Sequence, residues 1–284
     1  MAGQSNCSAN QRDATMVASS SLGTSPGIIQ SGAEKAAPQH GQGPLIIEIC
    51  AGTAMLSKCF REAGFDHLAI DHSKNRFHPY VSICNVDLTQ AHGWKFLHHV
   101  LLHYNVVFVH AAPPCGTCSR AREIPRPNAP RPLRTESEPM GIEGLSDTEQ
   151  ARVNAANTIY LGLSEFLLTC TRQHVPWTVE NPARSLLWLI PCVLELQNQT
   201  NACFYNYDTC AWGSHRMLQR SLLSTMPQMC GIQASCPGTH EHLPIGRSKQ
   251  PDGTYKWDTA DEAAYTIELC RKIVAIVQTT LNLA

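Results

Sequence analysis

Short apolar runs alternate with amphipathic segments along the first half of the chain. The runs and segments together occupy residues 45–50, 55–63, 67–71, 81–86, 89–103 and 105–111. Two parallel strands need a long crossover, usually a helix, so strands that alternate with helices build βαβ units. The sequence therefore predicts an α/β fold, with a mostly parallel sheet that carries helices on both faces.

The alternation stops after Ala112. Residues 113–145 carry seven prolines and no periodic apolar pattern, which predicts a long loop of the kind that usually has a function. Ser146 and Glu149 then have the spacing of a capping box, which predicts a helix to about residue 172. The later predictions are strands near 177–179, 202–207 and 222–225, a helix at 185–197 with a break at Pro191, an irregular Cys- and His-rich segment at 227–258, and a closing helix from Thr259.

Composition divides the chain into two parts. Residues 1–42 are rich in Ser, Ala, Gly and Gln and have no apolar face, which predicts a disordered N-terminal tail. Hydrophobic residues make up 43% of the chain, enough for a buried core, so residues 43–284 are predicted to form one domain. The sequence has no long apolar run and no secretory signal, so no membrane contact is expected.

Charge and cysteine content restrict the environment of the protein. The net charge is −1, so a nucleic acid would have to bind through a local basic patch. The thirteen cysteines are scattered through apolar segments, which is not typical of a disulfide framework. Free buried thiols are typical of a reducing compartment, so an intracellular protein is expected, nuclear in a eukaryote and cytoplasmic otherwise.

The first predicted strand runs into a glycine-containing turn at residues 48–54, and a helix follows. Glycine lets the backbone approach a ligand, and the helix start offers free N–H groups. Asp71 and Asp87 end the next two strands, and Asp71 follows Gly52 by 19 residues, where a carboxylate can accept both ribose hydroxyls. Together with Glu48 they suit an adenosine without phosphates, which favours S-adenosylmethionine over a dinucleotide. An ordinary βα turn is the alternative.

A cysteine follows two prolines where the fourth strand leaves the sheet. Pro113 and Pro114 make the approach to Cys115 rigid, and a thiol presented at this edge is a candidate nucleophile. A redox pair with Cys118, or half of a zinc site, is the alternative. Both alternatives are disfavoured, because a proline-rich loop follows instead of a helix and no second close pair stands at ribbon spacing.

Glu180 and Asn181 stand at the end of the fifth predicted strand. A carboxylate next to an amide can read a donor–acceptor edge, such as N3 and N4 of cytosine. The alternative is a strand-end glutamate followed by an Asn-Pro turn.

These three strand ends, in this order, resemble the cytosine-C5 DNA methyltransferase family over roughly residues 44–284. The resemblance rests on Glu-x-Cys-Ala-Gly-x-Ala, then Pro-Pro-Cys-x-x-x-Ser, then Glu-Asn. It implies a Rossmann-like class I S-adenosylmethionine-dependent methyltransferase fold, S-adenosylmethionine as cofactor and DNA as substrate. Residues 213–220 are similar to the arginine-bearing segment of the family, and residues 259–265 to its closing element.

The resemblance implies three sets of site residues. Cys115 would be the nucleophile and Glu180 would hold the base edge, with Asn181 and Arg216 as further catalytic residues. The cofactor would contact Glu48, Cys50, Gly52, Thr53, Ala54, Met55, Asp71, Asp87, Leu88 and Pro113. The nucleic acid would contact Arg120, Arg122, Arg126 and Arg220. For the loop arginines, which can bind phosphates, a solvated loop is the alternative.

Several positions depart from the family pattern. Cys50 replaces an aromatic residue that stacks on adenine, Ala54 replaces the second glycine, and Gly116 replaces a glutamine. About 40 residues separate Arg220 from the predicted closing helix, which leaves no room for a large target-recognition domain. The same chemistry on RNA, and a non-catalytic interaction protein that retains the fold, therefore stay open.

A last group contains two cysteines and two histidines. Cys230, Cys236, His240 and His242 offer four soft ligands within 13 residues. Their spacing is not that of a common zinc finger, so no metal is expected. The eight histidines between His67 and His110 are interpreted as surface residues or as residues with hydrogen-bonded partners.

Overall fold

Seven strands form one mixed sheet in the computed structural model, which describes residues 43–125, 130–249, 251, 253, 255–257 and 262–282. The strands are β1 Leu45–Ile49, β2 Asp66–Asp71, β3 Ile83–Asn85, β4 Val106–Ala111, β5 Trp177–Pro182, β6 Cys203–Asp208 and β7 Gln219–Ser224. The predicted tail and Arg126 lie outside the described residues.

The strand order is β3-β2-β1-β4-β5-β7-β6. The five strands β1 to β5 pair in parallel, and β7 runs antiparallel between β5 and β6. A parallel sheet whose order reverses beside β1, closed by one inserted antiparallel strand, has the Rossmann-like arrangement of class I methyltransferases. The predicted fold class is confirmed.

Helices cover both faces of this sheet. They are α1 Met55–Glu62, α2 Ala91–His103, α3 Asp147–Arg172, α4 Pro191–Thr200 and α5 Ile267–Leu281. The core on one face joins the sheet to α2, α3 and α4, and the core on the other face joins it to α1 and α5. The burial of β1 along its whole length follows from this double cover, and it explains the continuous apolar run in its sequence.

Local signals account for most of the boundaries. The Ser146 hydroxyl accepts from the Glu149 amide and the Glu149 carboxylate accepts from the Ser146 amide, so the predicted capping box begins α3. Pro191 occupies the first turn of α4 and separates it from a 3-10 helix at Leu186–Leu189, which confirms the predicted break. No described helix has the length and apolar character that a membrane span requires.

Two predictions near the C-terminus were wrong. The closing helix begins at Ile267, where the Thr266 hydroxyl accepts from the Leu269 amide, and not at the predicted Thr259, which lies outside the described residues. The segment 227–258 is also not wholly irregular. It contains a 3-10 helix at Pro227–Ile232 and an antiparallel pair of strands, β8 Arg247–Lys249 and β9 Tyr255–Trp257.

Candidate active site

The turn between β1 and α1 has an unusual backbone. Cys50, Gly52 and Ala54 all have left-handed conformations, with φ of 59°, 55° and 52°. Only glycine adopts this conformation without a steric cost, so Cys50 and Ala54 are held there by the surrounding structure. Ala54 is fully buried, and its amide donates to the Ala51 carbonyl at 2.7 Å. The turn is thus a tight, fixed element at the carboxyl edge of the sheet.

Glu48 is buried against the first turn of α1. Its Oε2 accepts hydrogen bonds from the Ser57 amide at 2.8 Å and from the Ser57 hydroxyl at 2.5 Å. Burial raises the pKa of Glu48 to about 7, although both bonds from Ser57 act in the opposite direction. Because Ser57 is in the first turn of α1, Glu48 stabilises the start of that helix.

Asp71 joins the end of β2 to the same turn. Its Oδ2 accepts from the Gly52 amide at 2.7 Å, and its Oδ1 accepts from the His72 amide at 2.6 Å. Asn75 adds a second connection, because its Nδ2 donates to the Gly52 carbonyl at 2.7 Å. The structure therefore places Gly52 and Asp71 in contact, the two residues that the sequence analysis related by their spacing of 19 positions.

The other residues predicted to contact a cofactor lie around this edge or just beneath it. Asp87 accepts two hydrogen bonds from Thr89, which hold its pKa below the usual value. Leu88 is buried in the core. Burial raises the pKa of Cys50 to about 12, so its thiol is neutral at physiological pH. The Thr53 carbonyl accepts a hydrogen bond from the Tyr80 amide. Met55 packs on the face of the sheet that α1 and α5 cover.

The Pro-Pro-Cys segment is fixed from three directions. Asn181 donates from Nδ2 to the Pro113 carbonyl at 2.9 Å. Tyr160, on α3, donates its hydroxyl to the Pro114 carbonyl, and the Leu186 amide donates to the Cys118 carbonyl at 2.9 Å. The segment that carries Cys115 is therefore tied to β5 and to α3.

Cys115 and Cys118 have different surroundings. Cys115 is partly exposed, whereas Cys118 is fully buried with its sulfur 3.4 Å from the Tyr160 hydroxyl. Burial raises the pKa of the Cys115 thiol, the nearby Arg220 guanidinium lowers it, and the Glu180 carboxylate raises it further. Both cysteines are free thiols. Of the two, Cys115 is the one that a substrate can reach.

Glu180 is the centre of a buried polar network. Its Oε1 accepts from Arg220 at 3.1 Å, and its Oε2 accepts from the Tyr265 hydroxyl at 3.1 Å. The other guanidinium nitrogen of Arg220 donates to the Glu262 carbonyl at 3.2 Å. A carboxylate that is 5% exposed has its charge balanced in this way by one cation and one hydroxyl.

His110 extends the network on the other side of Tyr265. Its Nε2 lies 2.9 Å from the Tyr265 hydroxyl, and its Nδ1 lies 2.7 Å from the Thr178 hydroxyl. Burial lowers the pKa of His110 to about 3, so the ring is neutral. Because Tyr265 donates to Glu180, the network assigns the proton to Nε2 of His110, which donates to Tyr265, while Nδ1 accepts from Thr178.

The two C-terminal arginines of the prediction have separate positions. Arg220 contacts Glu180, whereas Arg216 pairs with Glu262 at 3.0 Å and donates to the Pro244 carbonyl at 3.1 Å. Arg220, predicted as a contact for nucleic acid, therefore lies at the Glu180 carboxylate, and Arg216, predicted as a catalytic residue, pairs with Glu262. Arg216 organises the segment beside it.

The arginines of the loop are largely engaged within the chain. Arg120 pairs with Glu123 at 3.1 Å and with Glu136. Arg122 donates to the Gly116 carbonyl at 2.7 Å and so holds the residue next to Cys115. Arg134, another arginine of this loop, is fully buried. The described part of this loop is thus less basic at its surface than its composition indicates.

His110 and Tyr265 were not predicted as site residues. His110 is the polar residue in an otherwise apolar strand, which was a usable signal. Tyr265 stands 155 residues further on, and nothing local to it indicates this contact. The four metal candidates also do not all meet: Cys236, His240 and His242 gather with Cys210, and Cys230 is exposed elsewhere.

Comparison with known proteins gives little further information. No family model matches the chain, and no curated protein matches it. A solved structure of a DNMT2 mutant from Spodoptera frugiperda is similar, with 15% sequence identity and a TM-score of 0.38. The match covers 71% of this chain and 55% of the other, so the chain spans about half the length of that protein.

Proposed function

We propose that this protein transfers a methyl group from S-adenosylmethionine to C5 of cytosine in DNA, through a covalent adduct with Cys115. The observation that carries the proposal is the bond from Asn181 to the Pro113 carbonyl. It ties the segment that presents a thiol to the strand end that presents a carboxylate, at the carboxyl edge where ligands bind in open α/β sheets. This reaction needs a nucleophile and a group that recognises the edge of the base, both next to the same cytosine ring.

The turn after β1 fits the cofactor. Asp71 lies against Gly52, and Asp87 follows the neighbouring strand β3 by two residues, so in this proposal the two carboxylates serve as acceptors for the ribose hydroxyls and the adenine amino group. Neither a lysine nor an arginine occurs among residues 48–54, so the turn itself offers no charged partner for a phosphate. Asp71, Asp87 and the backbone of Gly52 would hold the cofactor, which supplies an electrophilic methyl group when bound.

Cys115 acts as the nucleophile in this proposal. The thiolate adds to C6 of the cytosine ring and forms the S–C6 bond. Burial opposes ionisation of the thiol, and Arg220 is the nearby cation that favours it. The proton that leaves the thiol passes to solvent, because Cys115 is partly exposed.

Glu180 recognises the base and assists the addition. In the proposal the Glu180 carboxyl group first takes a proton from solvent, then hydrogen-bonds or protonates N3 and steadies the N4 amino group, so that negative charge does not build up on the ring. Arg220 and Tyr265 fix both carboxylate oxygens in position. The adduct would make C5 nucleophilic toward the methyl group that bound S-adenosylmethionine supplies. Loss of the C5 proton to a base and return of the N3 proton to Glu180 would then restore the C5–C6 double bond, as the S–C6 bond breaks and Cys115 leaves as a thiolate.

Asn181 has a further feature that suits a ligand-binding role. Its Nδ2 is used by Pro113, but its Oδ1 is buried and accepts no hydrogen bond from any described residue. A buried acceptor without a partner costs roughly 1–3 kcal/mol. A donor on the bound base or cofactor would satisfy it.

The cytosine must be presented outside a duplex, by flipping or from a single strand, because C5 and C6 are otherwise stacked. Incubation with tritiated S-adenosylmethionine and matched pools of DNA and RNA tests which of the two polymers is methylated. Labelled 5-methyldeoxycytidine after digestion supports DNA. Label in 5-methylcytidine alone would show that the substrate is RNA and not DNA. Label in neither pool would favour the non-catalytic interaction protein.

A substrate with 5-fluorocytosine tests the chemistry. After methyl transfer, fluorine at C5 cannot leave as a proton does, so the bond between Cys115 and C6 persists through denaturing electrophoresis. The adduct should need S-adenosylmethionine. Cys115→Ser should abolish it, whereas Cys118→Ser should retain it, because the Cys118 sulfur is buried against Tyr160. Loss of the adduct in both variants would favour a dithiol mechanism and overturn the proposal.

A further inference from the structure

Two cysteines and two histidines, none of them part of the Glu180 network, converge just after β6. Cys210 lies on the 3-10 helix Thr209–Trp212, and Cys236, His240 and His242 lie in the segment 233–246. The four ligand atoms all lie within 4.8 Å of one another. The Cys236 sulfur is 3.5 Å from Nε2 of His242 and 3.9 Å from Nε2 of His240.

These distances suit a tetrahedral metal ion. Zinc binds sulfur at about 2.3 Å and nitrogen at about 2.0 Å, which places the ligand atoms of one tetrahedron about 3.5 Å apart. Two thiols and two imidazoles are also the donor types that zinc prefers. From this geometry we propose that Cys210, Cys236, His240 and His242 bind one zinc ion.

Hydrogen bonds fix the position of Cys236. The Gly238 amide donates to its sulfur at 3.4 Å. Asp208 accepts the Cys236 amide at 2.8 Å and fixes the backbone that carries the thiol. Partners of this kind orient metal ligands in known sites. Two histidines at the same point also distinguish the group from a simple thiol pair.

The site is closed and would be structural. All four ligands come from the chain, which leaves no open position for a substrate. The ion joins the segment 233–246 to the end of β6. That segment also contacts the candidate active site, because the Pro244 carbonyl accepts from Arg216 and the Leu243 amide donates to the His215 carbonyl at 2.9 Å. Zinc would therefore hold in place the segment against which Arg216 rests.

Measurement of bound zinc tests the proposal. The full chain is purified without chelator, incubated with equimolar zinc and passed through a desalting column, and its zinc content is then measured. The wild type should retain about one zinc per chain. Cys210→Ser and His242→Ala should each lose it. Cys230→Ser is the matched control and should retain it, because Cys230 is exposed and outside the group. This readout does not depend on methyl transfer.

Cobalt gives a second measurement if a variant does not fold. The wild type loaded with Co²⁺ should show the visible absorption of tetrahedral cobalt together with thiolate-to-cobalt charge transfer. A wild type that holds neither zinc nor cobalt would overturn the proposal. Full zinc content in Cys210→Ser, or its loss in Cys230→Ser, would also overturn it.

Discussion

The side chain of Asn181 donates to the Pro113 carbonyl at 2.9 Å, although the two residues are 68 positions apart in the chain. The bond joins the end of β5 to the loop that follows β4. Glu180 precedes Asn181 and Cys115 follows Pro113 by two residues. This hydrogen bond is therefore the direct link between the carboxylate strand end and the thiol segment, and small displacements between reacting groups have large effects on rate.

Asn181→Ala should separate these two groups. The Pro113 carbonyl loses its donor, and the adduct with 5-fluorocytosine should form about a hundredfold more slowly, because a misplacement of about 1 Å can have that effect. The melting temperature should fall modestly, since one buried hydrogen bond contributes about 1 kcal/mol. Asn154→Ala, on the exposed side of α3, serves as the control. An unchanged rate of adduct formation would contradict the positioning role.

Arg220→Gln should move the pH dependence of adduct formation to higher pH. The Arg220 guanidinium lowers the pKa of Cys115, so its removal leaves burial and the Glu180 carboxylate, both of which raise that pKa. The ascending limb of the pH–rate profile, where the rate rises as the Cys115 thiol ionises, should therefore shift to higher pH. Arg220→Lys keeps the positive charge and should shift it less. A shift to lower pH in Arg220→Gln would exclude the assigned role.

Asp71→Ala should weaken S-adenosylmethionine binding about tenfold to a hundredfold, as expected for a lost hydrogen bond to a charged group. Asp71→Asn retains an acceptor oxygen for the Gly52 amide and should have an intermediate affinity. Asp66→Asn lies at the opposite end of β2 and is the control. Isothermal titration calorimetry measures all three. Equal affinities in the wild type and Asp71→Ala would remove Asp71 from the cofactor site.

The elements that the sequence predicted correctly have local causes. The continuous apolar run of β1, the capping box of α3 and the break at Pro191 each depend on neighbouring residues. The errors have the opposite origin. Thr259 is of a residue type that caps helices, but the closing helix follows Thr266, whose hydroxyl also donates to the carbonyl of Trp212, a residue distant in sequence. A local pattern does not show such competition.

The candidate site divides in the same way. Gly52 and Asp71 were found because their spacing reflects one βαβ unit. The contact of Tyr265 with Glu180 crosses 85 residues and depends on how the chain returns after β7. Cys210 could not be preferred to Cys230 from spacing, because its position beside Cys236 is set by the path of the segment after β6. These contacts required tertiary structure.

The buried Glu48 should make stability depend on pH. Its pKa is raised from 4.5 to about 7 in the folded protein, mainly by burial. Below the unfolded pKa the side chain is neutral in both states and causes no loss. As pH rises toward 7 the unfolded chain ionises while the folded chain keeps its proton, so stability falls, by at most about 3 kcal/mol.

Glu48→Gln removes this ionisation and keeps an acceptor oxygen for Ser57. The difference in unfolding free energy, variant minus wild type, should therefore increase in favour of the variant between about pH 4.5 and pH 7 and stay constant above it. Comparing variant with wild type at each pH cancels the separate effect of His110. Because its pKa is lowered in the folded protein, His110 takes up a proton more readily in the unfolded chain, which favours unfolding in acid. Glu62→Gln, at the exposed end of α1, should show no such change. Urea unfolding at several pH values measures the difference, and a difference independent of pH would show that Glu48 is ionised in the folded protein at these pH values.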